Sequence, residues 1–227
     1  MKLLIVGAMD SEIEYIKSNL KKMNVKGISG FEFYLGKIAN KEIILVKSGI
    51  GRVMAGMLMG IASSNFEYDA VINLGVAGGV QGTKLGDIIV GQNYVYGDVD
   101  LSSGGFGYEF GQMAGCPRYF ESKVYTQSNN EIGCYLGDIC TCDSFTTSQE
   151  FVYKIQNEYF KELNIKCFDM ESTAFAQACY FYNKPFLAIR SISDVIGSSF
   201  QAEDYKNNEI LSANKVNQFV IRLIENL

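Results

Sequence analysis

Short apolar runs bounded by glycine or charge alternate along this chain with stretches whose apolar positions recur every three or four residues. The first pattern predicts buried strands and the second predicts amphipathic helices. Strands are expected at Lys2–Ala8, Asp69–Leu74, Gly86 to about Asp100, Tyr135–Cys142, Lys166–Asp169 and Phe186–Ile192. Phe31–Ala39 and Lys41–Lys47 read as a hairpin turning at Asn40. Helices are expected at Ser11–Met23, Val53–Ser64, Ser148–Leu163 and Glu203–Leu227, with a weaker, polar one at Glu121–Glu131. A further helix opens at Glu171, with Ala174, Ala178 and Phe181 on its buried face, and stops at Lys184-Pro185. Such alternation predicts one α/β domain over residues 1–227, with a mixed, twisted central sheet flanked by helices.

Three carboxylates stand out against this pattern. Glu12 follows the first strand directly, Glu171 follows a short strand, and Asp194 lies just past the end of the Phe186–Ile192 strand. In α/β sheets the carboxyl ends of strands are where ligands bind, so the three are candidates for one crevice. Each also has a plainer reading, Glu12 as a complement to a helix dipole and the other two as helix caps. Glycine-rich turns at Gly49-x-Gly51 and Gly75–Gly79 follow strands and can bring backbone close to a ligand. The first is no dinucleotide fingerprint, because Met54 stands where the third glycine belongs. The long glycine and aromatic loop Ser102–Pro117 is of the kind that is usually functional or interfacial.

Composition narrows the chemistry. The chain of 227 residues contains no histidine, which excludes Ser-His-Asp and Cys-His catalysis and every His-ligated metal site. Acid–base work near neutral pH then falls to carboxylates, Lys, Tyr or Cys in environments that shift their pKa. A net charge of −5 without basic clusters argues against a nucleic-acid partner. No stretch reaches the roughly 20 apolar residues of a membrane span. The opening apolar run meets Asp10, Glu12 and Glu14 at once, so it is read as a strand and not as a signal peptide. The cysteines at 116, 134, 140, 142, 167 and 179 are scattered, which suits reduced thiols and a cytoplasmic setting. Cys140-x-Cys142 fits neither a zinc knuckle nor a redox pair, and its alternation points to core packing.

Eight segments, in order along nearly the whole chain, resemble the purine nucleosidases of the nucleoside phosphorylase superfamily. They are Val6–Glu12, Lys47–Gly51, Asn73–Gly79, Phe106–Gln112, Gly115–Pro117, Asp143–Phe145, Asp169–Glu171 and Arg190–Asp194. The closest likeness is to the 5′-methylthioadenosine/S-adenosylhomocysteine nucleosidases. The resemblance implies hydrolysis of the N-glycosidic bond to adenine and a 5-substituted ribose, without cofactor or metal; 5′-deoxyadenosine is a further candidate substrate. It implies Asp194 as the general acid at adenine N7 with Ser193 beside it, and Glu12 as the water-directing carboxylate assisted by Arg190. Met170 and Glu171 would hold the ribose, Phe145 would stack on adenine, and the Thr146 backbone would meet the base edge. Met9 and Ile50 would line the alkylthio end. The glycine and aromatic loop implies a homodimer in which Phe106, with Tyr108 nearby, closes over the partner's site.

The chain departs from that pattern at several points. Val76 stands where the nucleosidases commonly carry Ser, and Ala114 replaces a loop Pro. The segment between Gly197 and Tyr205 is short, leaving Phe200 as the candidate for a late aromatic at the 5′ pocket. Two other readings follow from the same residues. A phosphorylase would need cationic groups around phosphate, where this chain offers Glu12, Asn73 and Val76. A non-catalytic nucleoside binder would have no need of Glu12, Glu171 and Asp194 together.

Overall fold

The computed structural model describes residues 1–122 and 134–227. Ten strands form one sheet: β1 (Lys2–Gly7), β2 (Lys21–Ile28), β3 (Phe31–Ile38), β4 (Lys41–Lys47), β5 (Ala70–Gly79), β6 (Ile88–Tyr96), β7 (Phe120–Glu121), β8 (Cys134–Thr141), β9 (Ile165–Asp169) and β10 (Phe186–Val195). Among the described residues, five α-helices flank it: α1 (Asp10–Asn19), α2 (Arg52–Asn65), α3 (Gln149–Lys154), α4 (Ser172–Phe181) and α5 (Gln201–Asn226). The mixed α/β architecture expected from the pattern is the one observed.

The strand order is β10-β6-β8-β9-β5-β1-β4-β3-β2, and β10 also pairs with β5. Strands β5, β10, β6, β8 and β9 therefore close on themselves, while β1, β4, β3 and β2 extend from β5 as an open wing. Alternation along β1 divides the core between the two faces. Leu4 and Val6 pack with Leu58 and Met59 of α2 and Phe175 of α4. Leu3 and Ile5 pack with Ile13 and Ile16 of α1 and Val216 and Val220 of α5. Cys140 and Cys142 fall in a third apolar cluster with Val95, Phe160 and Ile196, as their alternation predicts.

The structure corrects several element boundaries. The first helix ends at Asn19 instead of reaching Met23, and β2 follows at once. That strand is exposed along nearly its whole length and is held by its ladder to β3, so no apolar alternation announces it. Its lysines suit an open sheet edge. The helix expected over Ser148–Leu163 is α3 followed by a π-helical turn, Ile155–Tyr159. Of the polar helix expected at Glu121–Glu131, Phe120–Glu121 pair as a strand and residues 123–131 lie outside the described residues. Strand β6 ends at Tyr96, short of Asp100. Phe181, expected on the buried face of α4, is 64% exposed; that face is instead Ser172–Ala176 and Cys179.

Candidate active site

The carboxyl ends of β1, β5, β9 and β10, with the segments after β4 and β8, converge on one pocket. Its lining includes Met9, Glu12, Ile50, Phe145, Thr146, Met170, Glu171, Ser193 and Asp194. Nine residues that the sequence scatters between positions 9 and 194 are thus brought together.

Asp194 is within β10 and not beyond it. The β10–β5 register slips between Ile192 and Asp194, leaving Ser193 as the extra residue of a bulge. In a regular strand Ser193 and Asp194 would face opposite sides; the bulge lets both line the pocket. Ser193 Oγ donates to Asp194 Oδ1 at 2.7 Å, and Gln201 Nε2 donates to Asp194 Oδ2 at 2.8 Å. Asp194 has no solvent exposure, and burial raises its pKa above the ordinary 3.8 against the pull of those two donors. It does not cap α5; it receives the side chain of that helix's first residue.

Glu12 serves both readings at once. Its Oε2 accepts the N–H groups of Ala8 at 2.6 Å and Met9 at 3.1 Å, which ties down the start of α1. Its Oε1 accepts the Val76 N–H at 2.9 Å, which turns the carboxylate toward β5 and the pocket. This approach needs Gly75, where a Cβ would sit 2.5 Å from Glu12 Oε1. Burial raises the Glu12 pKa above 4.5, while Arg190 and the three N–H groups pull it back.

Glu171 precedes α4 without capping it through its side chain. Its Oε1 accepts the Gly51 N–H at 2.7 Å, an amide aimed by the positive φ of 95° that glycine tolerates. Burial, reinforced by the Asp169 carboxylate, pushes the Glu171 pKa up to about 8.

Arg190 does not line the pocket. It is 1% exposed and is held by Asp169, Asn73 and Ser172. Its charge acts on Glu12 through space, without Arg190 lining the pocket. Phe106 is 74% exposed and away from the pocket of its own chain. Phe145 lines the pocket and meets Tyr205 edge to face at 5.5 Å.

Sequence reasoning missed three residues here. Tyr205 lines the pocket where Phe200 is expected: its hydroxyl reaches Met9 Sδ at 3.7 Å, whereas Phe200 is 66% exposed and outside the pocket. Asp169 lines the pocket and accepts from Arg190 Nε at 2.9 Å and Thr141 Oγ1 at 2.6 Å. Gln201 stands behind Asp194. Asp169 lies within a quoted motif, but nothing in the pattern distinguishes Gln201 from the other polar residues of its helix.

Among the described residues, no group of three or more His, Cys, Asp or Glu is placed to hold a metal, and no helix is long and apolar enough to cross a membrane.

A phosphorylase superfamily family model matches residues 2–225. A 5′-methylthioadenosine/S-adenosylhomocysteine nucleosidase of Psychromonas ingrahamii is 36% identical over 96% of this chain and 99% of its own. One from Lysinibacillus sphaericus is 35% identical over 87% of each. Among solved structures, the nucleosidase of S. pneumoniae with the transition-state inhibitor MT-ImmA aligns with a TM-score of 0.90, 32% identity and 99% coverage of both chains. That of Colwellia psychrerythraea in complex with adenine aligns at 0.86, 33% identical, over 97% of this chain and 93% of its own.

Proposed function

The chain belongs to the phosphorylase superfamily, among its 5′-methylthioadenosine/S-adenosylhomocysteine nucleosidases, and we propose that it hydrolyses those two nucleosides to adenine and the 5-substituted ribose. The observation that carries this reading is a single pocket holding two buried carboxylates, Asp194 and Glu12, both with raised pKa and with different hydrogen-bond partners. Adenine leaves poorly as an anion and well once N7 is protonated. An ordinary Asp is ionised at pH 7, so burial equips Asp194 to carry the proton that N7 receives. Loss of the base develops an oxocarbenium-like sugar, which a water directed by Glu12 captures. The proton lost by that water passes to Glu12, and the one held by Asp194 ends on adenine.

The remaining wall divides the substrate among its residues. Phe145 stacks on the base and the Thr146 backbone meets its edge. Met170 and Glu171 face the ribose hydroxyls. Met9, Ile50 and Tyr205 form the apolar end for the 5′-alkylthio group. Ser193 orients Asp194, and Arg190 acts on Glu12 as a buried positive charge. Water is favoured over phosphate because no Lys or Arg among the described residues lines the pocket and Arg190 is sealed behind Asp169, Asn73 and Ser172.

The proposed assembly is a homodimer in which Phe106 closes over the partner's site. Exposed Val53, Phe106 and Phe181 support it as apolar surface for a second copy. A cytoplasmic location is supported by the five buried thiols of Cys116, Cys140, Cys142, Cys167 and Cys179, none of them in a disulfide.

The test is adenine release from 5′-methylthioadenosine in phosphate-free buffer and again with added phosphate, with the sugar product identified. Free methylthioribose at a rate indifferent to phosphate is expected. A strict phosphate requirement with a sugar phosphate product would replace this reading with phosphorolysis.

A further inference from the structure

Gln201 is 5% exposed, and every hydrogen-bonding capacity of its amide that matters here is used. The two hydrogens on Nε2 go to Asp194 Oδ2 and to the Thr146 carbonyl, each at 2.8 Å. Oε1 accepts the Gly197 N–H at 3.0 Å. This fixes the amide's orientation: turned over, it would set an oxygen against a carboxylate and a carbonyl. One side chain therefore ties together two residues that line the pocket, through the carboxyl of Asp194 and the peptide oxygen of Thr146.

We propose that Gln201 is a positioning residue that sets the spacing between Asp194 and the Thr146 carbonyl, and thereby makes the site select a 6-amino purine over a 6-oxo purine. This rests on the nucleosidase reading of the pocket. On adenine, N7 is an acceptor and the neighbouring 6-amino group a donor, whereas a 6-oxo purine presents two acceptors on that edge. A proton donor at N7 flanked by a carbonyl fits the first pattern. A 6-oxo group would meet that carbonyl oxygen to oxygen. The Thr146 carbonyl has two lone pairs; Gln201 occupies one and leaves the other for the base. With the amide removed, neither the carbonyl's direction nor its distance from Asp194 is fixed by this contact.

The same amide also acts on the acid itself. Its N–H favours ionised Asp194, as does Ser193, in opposition to burial and to Asp204 of α5. Glu12, Asp169, Glu171 and Tyr205 line the same pocket. The acid must be protonated to work, so activity falls as pH rises through its pKa. Loss of the Gln201 donor raises that pKa and moves the alkaline limb to higher pH.

The experiment compares the full-length wild type with Gln201→Met, which keeps length and loses both donors, and with Gln201→Glu. For each, kcat/KM is measured with 5′-methylthioadenosine and 5′-methylthioinosine across pH. Gln201→Met is expected to lose about tenfold with the adenosine substrate and about tenfold of its preference over the inosine substrate. Its alkaline limb should move upward. Gln201→Glu should approach wild-type activity only at low pH, where a protonated carboxyl can replace the amide as donor. A folded Gln201→Met protein with an unchanged limb and an unchanged substrate ratio would overturn the inference, whatever its rate. If Gln201→Met does not fold, a Gln201→Glu profile parallel to that of the wild type overturns it instead. Wild type that releases no adenine would overturn the nucleosidase reading and this inference together; wild-type turnover with unmoved variants overturns this inference alone.

Discussion

The carboxylate of Glu171 accepts the backbone N–H of Gly51 at 2.7 Å, joining the start of α4 to the start of α2 across the pocket wall. The bond is short of what full burial demands for a charged group, and Asp169 adds repulsion, so the Glu171 pKa stands at about 8 against an ordinary 4.5. A folded pKa raised in this way gives stability that is complete below the unfolded value and is lost as pH rises through the folded one. The ligand-free protein should therefore lose melting temperature between about pH 4.5 and pH 8 through this group. Glu171→Gln should flatten the slope in that window. Scanning calorimetry of both proteins checks it, and equal slopes would remove Glu171 from the account.

Asp194→Asn keeps the size of the side chain and removes the transferable proton. Turnover of 5′-methylthioadenosine should fall by about 10²- to 10⁴-fold while nucleoside binding, followed by calorimetric titration, stays within a fewfold of wild type. Turnover near the wild-type rate would show that another group protonates the base.

In its proposed role Glu12 directs water only when ionised, and burial raises its pKa above the ordinary 4.5. The acid limb of kcat/KM should accordingly sit above that value, activity being lost as pH falls through the raised pKa. Glu12→Gln should abolish turnover at every pH. A limb at the ordinary carboxylate position, or substantial activity in the variant, contradicts the role.

Tyr205, which contacts Phe145 and Met9, is the aromatic proposed for the 5′ end of the substrate. Tyr205→Leu should raise KM for 5′-methylthioadenosine by roughly tenfold through lost aromatic contact, with a smaller change in kcat. Phe200→Leu, outside the pocket, should leave KM unchanged. Equal effects of the two substitutions would return the late aromatic to Phe200.

If Phe106 completes the partner's site, Phe106→Ala and Glu12→Gln proteins damage different halves of each site. Each alone should be impaired. Mixed and refolded together, they should form heterodimers in which one site has both intact Glu12 and intact Phe106, restoring up to half of wild-type activity per site pair. Absence of any gain on mixing, with heterodimers demonstrated by mass, would place Phe106 outside the site.

The α/β class, most strand positions and the carboxylates that meet in the candidate site are legible in the residues alone. Buried strands such as β1, β5 and β10 are runs of apolar residues that water would penalise anywhere but in a core, so their position is local information. The absence of histidine left carboxylates as the acid–base groups, and Glu12, Glu171 and Asp194 all reach one pocket. Only the tertiary structure decided the rest. The edge strand β2 exists because β3 offers it a ladder, and its exposed side chains record nothing of this. The closure of β10 onto β5 and the bulge at Ser193 depend on pairing between segments distant in sequence. That closure seals Arg190 beneath the pocket, brings Tyr205 to its mouth and sets Gln201 behind Asp194. Hydrogen bonds between side chains far apart in the chain leave no periodicity, because what fixes them is the three-dimensional meeting of elements and not the character of either segment alone.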